Sequence, residues 1–252
     1  SEPTAAPSPT PIPTATLTPI PTPYPTPVIS ALEILNASIP RMVDLGSFHF
    51  ETEMVLSIES EESNIELPII LYGDYKAPNL FNAVMSINLI FMTVETEIVN
   101  TGDRTYVKDP LTGLWQVETS IETGFVNPAD LINLKISDFR NLIFTGTESL
   151  DGIESYVVQG NTTQNSFGLG NGNFDVAFWI GVESSLIGKI QIEGDISVTK
   201  NGPLGVIGVE GNAGIMVVMK LSAYNEMVTI TAPTIPTSTP AAAHTPKPIS
   251  RY

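Results

Sequence analysis

The sequence predicts a mainly β protein with two or so helices: a wide, curved antiparallel sheet folded around them. Three observations carry this. Apolar residues recur with period two in many separate segments. Turn residues punctuate those segments at hairpin spacing. Helical spacing occurs in only two stretches.

The first helix is announced by Ser30-Ala31-Leu32-Glu33, a capping box in which the serine and the glutamate satisfy each other's backbone donors. Leu32, Leu35, Ile39, Met42 and Val43 follow at helical spacing, Gly46 suits the C-terminal stop, and Pro40 is expected to kink or split the helix. A second helix is expected from Asn127-Pro128, with Asn as N-cap, Pro at the first position and Asp130 near the positive dipole end. Leu131, Leu134 and Phe139 would form its buried stripe.

Elsewhere the period is two. Phe48, Phe50, Met54, Leu56 and Ile58 alternate with His49, Glu51, Glu53, Val55 and Ser57. The same pattern is carried by Phe81, Ala83, Met85 and Ile87; by Met92, Val94 and Ile98; and by Val176, Phe178 and Ile180. Ile190, Ile192 and Ile196 alternate with Lys189, Gln191, Glu193 and Asp195, and Ile215, Val217, Met219 and Leu221 form a last set. Turns are expected at Thr101-Gly102-Asp103, at Asp109 to Gly113, at Asp151-Gly152 and at Asn201-Gly202-Pro203. Sequential hairpins with one wet face make an antiparallel meander, and the helices would cover the other face.

Proline distribution sets the domain boundaries. Of 21 prolines, ten fall in residues 1–27 and five in residues 233–252, which leaves six for residues 28–232. The Thr-Pro and Ser-Pro repeats of residues 1–27 favour polyproline II and would reach on the order of 80 Å if extended. They read as a disordered tether, or as a linker to another domain; residues 233–252 read as a shorter Pro-rich disordered tail. Residues 28–232 are then one β domain, long enough to bury a sizeable core.

Charge and residue types exclude several functions. The chain has 27 acids against 11 bases, a net charge of −16, and residues 28–232 hold 26 of the acids and nine of the bases. No basic stripe exists to bind nucleic acid. With no cysteine, thiolate catalysis and Cys-ligated metals are absent. His49 is the single histidine of the domain, on the polar face of its strand, and has no companions for a triad or a metal site. Gly168 to Gly172 lacks the lysine of a phosphate loop. Neither an enzyme nor a cofactor is expected.

A set of motifs carries a resemblance. Ser47-Phe48-His49-Phe50-Glu51 follows the capped helix; then come Gly73-Asp74-Tyr75-Lys76-Ala77-Pro78 and the run from Gly102-Asp103-Arg104-Thr105-Tyr106 to Leu114-Trp115. Leu150-Asp151-Gly152-Ile153-Glu154-Ser155-Tyr156 and Lys220-Leu221-Ser222-Ala223-Tyr224 complete the order. Over residues 28–232 this arrangement resembles the bacterial LppX/LprG-type lipoproteins, relatives in fold of the lipid-carrier LolA. The resemblance implies a half-barrel closed by helices around an apolar cavity for the acyl chains of a lipid or glycolipid. It also implies an extracytoplasmic location, at the cell surface or in the periplasm, and a membrane anchor on a lipidated cysteine preceding residue 1. Two stretches depart from the family: residues 163–173 are short and Gly/Asn-rich where helix is expected, and residues 200–214 exceed a simple turn.

The expected lipid-binding face, drawn from the alternating segments, is Phe48, Phe50, Met54, Met85, Val94, Phe178, Ile190, Ile192, Val217 and Met219. Methionine suits variable apolar contacts. Leu204, Val206, Ile207 and Val209, set among glycines, are a candidate gate or membrane loop, with folding back onto the sheet as the alternative. The leading expectation is a non-enzymatic lipid- or glycolipid-binding surface lipoprotein. The alternative is a structural, adhesive or accessory-subunit surface protein with a filled core, acting through its exterior and tails; protein partners and self-assembly stay open.

Overall fold

The computed structural model describes residues 29–59, 64–89, 91–118, 128, 134–163, 167, 172–198 and 211–235. The helix α1, Ala31–Val43, begins with the capping box: the Glu33 amide donates to Ser30 Oγ at 3.2 Å and the Ser30 amide donates to Glu33 Oε2 at 2.9 Å. The Ser30 backbone N–H, seconded by its hydroxyl, holds the Glu33 carboxyl below the usual carboxylate range. The buried face is Ala31, Ile34, Leu35, Ser38 and Met42, whose spacings of three and four residues trace one stripe. Leu32 and Val43, expected on that stripe, sit on its flank with about half their surface exposed, at 51% and 54%. Pro40 does not split the helix, because it occupies an exposed position where a missing N–H and a displaced carbonyl are tolerated.

Eleven strands follow among the described residues: β1 Ser47–Glu59, β2 Asn64–Lys76, β3 Leu80–Leu89, β4 Met92–Thr101, β5 Thr105–Lys108, β6 Trp115–Glu118, β7 Phe139–Leu150, β8 Ile153–Thr162, β9 Gly172–Gly181, β10 Ile187–Val198 and β11 Gly211–Ser222. They form one curved, open antiparallel sheet in the order β6-β5-β4-β3-β2-β1-β11-β10-β9-β8-β7. Two meanders are therefore joined by the β1–β11 pair, and the chain between β6 and β7 passes from one edge to the other.

Turn chemistry explains the hairpins. Asp151 and Gly152, with φ of 50° and 85°, form the two-residue β7–β8 connection, where positive φ matches the twist of the strands. The amides of Leu111 and Thr112 donate to Asp109 Oδ1 at 2.9 and 2.8 Å, fixing the β5–β6 turn and keeping the Asp109 carboxyl below its ordinary range. The edge strand β7 carries two register shifts, with Asn141 at φ 52° and Gly146 at φ 134°; such bulges blunt an edge against unwanted pairing.

The second helix takes a different form among the described residues. Pro128 lies in a turn, Leu134 lies outside any helix, Ile136–Asp138 make one 3-10 turn, and Phe139 is the first residue of β7; Asn127 and residues 129–133 fall outside the described set. Phe139 is withdrawn from helix by pairing with Thr162 and by an edge-on contact with Phe178, ring centroids 5.3 Å apart. Beyond β11, Asn225 Oδ1 accepts from the Gly46 amide at 2.8 Å, and Lys76 Nζ donates to Val228 O at 3.0 Å. The chain is thus fastened beside the start of β1 after leaving the sheet. The expected tether, residues 1–27, and residues 236–252 of the tail lie outside the described set.

Candidate functional site

Register assigns the faces of the sheet. On β1, Phe48, Phe50, Thr52, Met54 and Leu56 are buried, while Glu51 and Glu53 between them are exposed. Ladder partners carry that inner face outward in both directions. Met54 stands opposite Val217 of β11, Val217 opposite Ile192 of β10, and Ile192 opposite Val176 of β9. On the other side Met54 faces Ile69 of β2, which faces Ile87 of β3, which faces Val94 of β4. All ten residues expected to line the concave side fall on this one face, and Glu193 and Asp195 fall on the exposed opposite one.

Burial along the inner face is graded. Phe48, Phe50, Met54, Phe178, Ile190, Ile192 and Val217 are sealed, at 5% exposure or less. Met85, Val94 and Met219 are only half-buried, as are Ile87 and Leu89. α1 packs on the β7–β8 side, and the Ile187 amide donates to Met42 Sδ at 3.4 Å. Most of the less covered apolar residues therefore lie on β3 and β4, whereas α1 packs on β7 and β8.

Two hydroxyls in this interior have no partner. Ser38 Oγ, on the buried face of α1, and Thr52 Oγ1, between Phe50 and Met54, are buried without a hydrogen bond. Such groups are uncommon because burial strips a hydroxyl of its water without return.

Several inner-face residues were not legible as site residues. Leu67, Ile69 and Leu71 belong to β2, where Ile70 and Tyr72 interrupt the alternation by being apolar and exposed. Tyr75 stacks on Phe48 with centroids 4.7 Å apart, and its hydroxyl donates to Pro78 O. Leu204, Val206, Ile207 and Val209 lie outside the described residues.

The outer face carries the acids of β1 and β10, interrupted by exposed Ile70, Tyr72 and Met216. A groove of about 700 Å³ there is lined by Arg140, Asn161, Asp175, Glu193 and Asp195, and Asn161 Nδ2 donates to Asp175 Oδ1. His49 Nδ1 lies 2.8 Å from Asp74 Oδ1 and Nε2 lies 3.7 Å from Glu51. Among the described residues no group of three or more His, Asp and Glu side chains could hold a metal ion. No described helix is long and apolar enough to cross a membrane.

Solved structures share this arrangement. The lipoprotein LppX of Mycobacterium tuberculosis superposes with a TM-score of 0.52 at 20% identity, covering 80% of this chain and 98% of its own. LprF of Mycobacterium bovis does so with a TM-score of 0.51 at 17% identity, covering 81% and 96%. The fold is that of the LppX and LprF proteins. The expected LppX-like half-barrel is what the strand order describes, with one helix rather than two among the described residues. No protein-family model matches the sequence, and no curated protein matches it.

Proposed function

We propose that the protein is a non-enzymatic, extracytoplasmic lipid-binding lipoprotein that holds the acyl chains of a lipid or glycolipid against the inner face of its sheet. The observation that carries this reading is the graded inner face. It is apolar from β9 to β4, sealed around Met54 and Val217, and partly open at Met85, Ile87, Leu89 and Val94. An acyl chain gains about 0.8 kcal/mol for each methylene it buries on such a surface. The fold shared with LppX, a protein described as a lipoprotein, agrees with this reading. Fixing by a lipidated cysteine before residue 1, with residues 1–27 as spacer, belongs to the same proposal.

The test is native mass spectrometry with lipid extraction on protein purified without detergent. Wild type is expected to carry an acylated ligand, and Met85→Trp to fold but emerge empty. Protein that is empty in both forms, and that takes up no lipid from vesicles, would overturn the reading in favour of a filled core.

A further inference from the structure

The β3–β4 hairpin is closed by a different kind of sequence from the β7–β8 hairpin. Leu89 pairs with Met92, so residues 90 and 91 alone make the connection. Two-residue hairpin connections favour Asn, Asp and Gly because positive φ is needed, and the β7–β8 hairpin duly uses Asp151-Gly152. Here the sequence is Ile90-Phe91.

What the tip presents to solvent is apolar. Phe91 is 94% exposed and Met92 52%. The base of the tip is braced by Thr93 Oγ1 donating to Asn88 Oδ1 at 2.7 Å. The β5–β6 turn opens toward the same end of the sheet, and there Asp109 holds Leu111 at 88% exposure. Residues 85 to 94 include no charged side chain, in a protein of net charge −16. At the opposite end the exposed apolar residues sit beside acids, Ile153 next to Glu154 and Met227 next to Glu226.

We propose that the β3–β4 tip, led by Phe91 and Met92, inserts into the interface of an uncharged lipid bilayer. A projecting tip of two or three side chains is far smaller than the roughly 800 Å² per partner of a stable protein interface, whereas shallow insertion into a bilayer needs only such an anchor. The tip also continues directly into Leu89, Ile87 and Val94, the accessible part of the inner apolar face. Charge selects the bilayer: the net charge of −16 opposes anionic lipid. The inference deepens the lipid-carrier reading by giving the place where lipid would pass, but the insertion itself does not require a loaded interior.

The experiment is partitioning of the full chain onto phosphatidylcholine vesicles by flotation, with lipid content read on the same samples by native mass spectrometry. Wild type is expected to float. Phe91→Glu is expected to lose about tenfold or more of its partitioning, since a Phe anchor is exchanged for a charge. Its melting temperature should be unchanged, because the side chain packs against nothing. Ile153→Glu, at the far end, should float as wild type does, and adding phosphatidylglycerol at low salt should weaken binding. Wild type that does not float, Phe91→Glu that floats normally, or a dimer that Phe91→Glu dissolves would overturn the proposal. An empty interior with intact flotation would overturn the carrier reading and leave this one standing.

Discussion

The Phe174 ring on β9 lies over Gly194, its ladder partner on β10. A Cβ at position 194 would come within 2.8 Å of Phe174 Cδ1 and 2.2 Å of the Asn173 carbonyl oxygen. The ring could turn aside, but the backbone oxygen cannot without disturbing the β9–β10 ladder. Gly194→Ala is therefore expected to cost about 1–3 kcal/mol, as overpacking does, read by denaturant unfolding. A variant as stable as wild type would show that the ladder yields there.

Val217 and Met85 share the inner face but differ in cover. Val217 is 3% exposed between Met54 and Ile192, whereas Met85 is half-buried. Val217→Trp is expected to cost about 1–3 kcal/mol and Met85→Trp clearly less, because only the first forces a closed core apart. Thermal melts of the two variants decide it; equal losses would mean that the face is uniformly sealed.

Tyr224 lies with its hydroxyl 2.8 Å from the carbonyl oxygens of both Ile187 and Leu221, to one of which it donates at a time. Burial pushes its pKa upward. The folded state thus holds the phenolic proton more tightly than the unfolded chain. The resulting stability is present in full below about pH 10 and is lost as pH rises further. Tyr224→Phe should lose about 1 kcal/mol at neutral pH with the hydrogen bond. Its stability should then fall less steeply than that of wild type above about pH 10. Parallel alkaline curves for the two proteins would refute this.

Ser30 caps α1, its hydroxyl accepting from the Glu33 amide. Ser30→Ala should cost about 1 kcal/mol, and Ser30→Asp should restore most of it. The Glu33 carboxyl, held below its ordinary range by the same cap, contributes stability that is present above the unfolded carboxylate pKa and lost as pH falls through the folded value. The gap between wild type and Ser30→Ala should accordingly narrow in acid, as measured by thermal melts across pH 2 to 6, roughly the carboxylate range.

The capping box, the turns at Asp109 and Asp151-Gly152, and the alternation of β1 and β10 were all determined by the sequence itself. Each rests on interactions within a few residues, or on a face that must meet water and so must be polar. The acids of β1 and β10 declare which side is out, and that was enough to put Phe48, Met54, Ile190 and Ile192 on one face. Only the tertiary structure decided the rest. Ile70 and Tyr72 are apolar on both counts of the alternation, so β2 reveals its inner face only through its partners on β1 and β3. Phe139 has helical spacing from Leu134 in the chain, yet pairing with Thr162 and contact with Phe178 draw it into β7. Leu32 and Val43 were assigned to the buried stripe of α1 because local periodicity does not say where the sheet lies. The grading of the inner face, sealed at Val217 and open at Val94, likewise has no local cause. It depends on which strands α1 packs against, and that is a relation across the fold rather than along the chain.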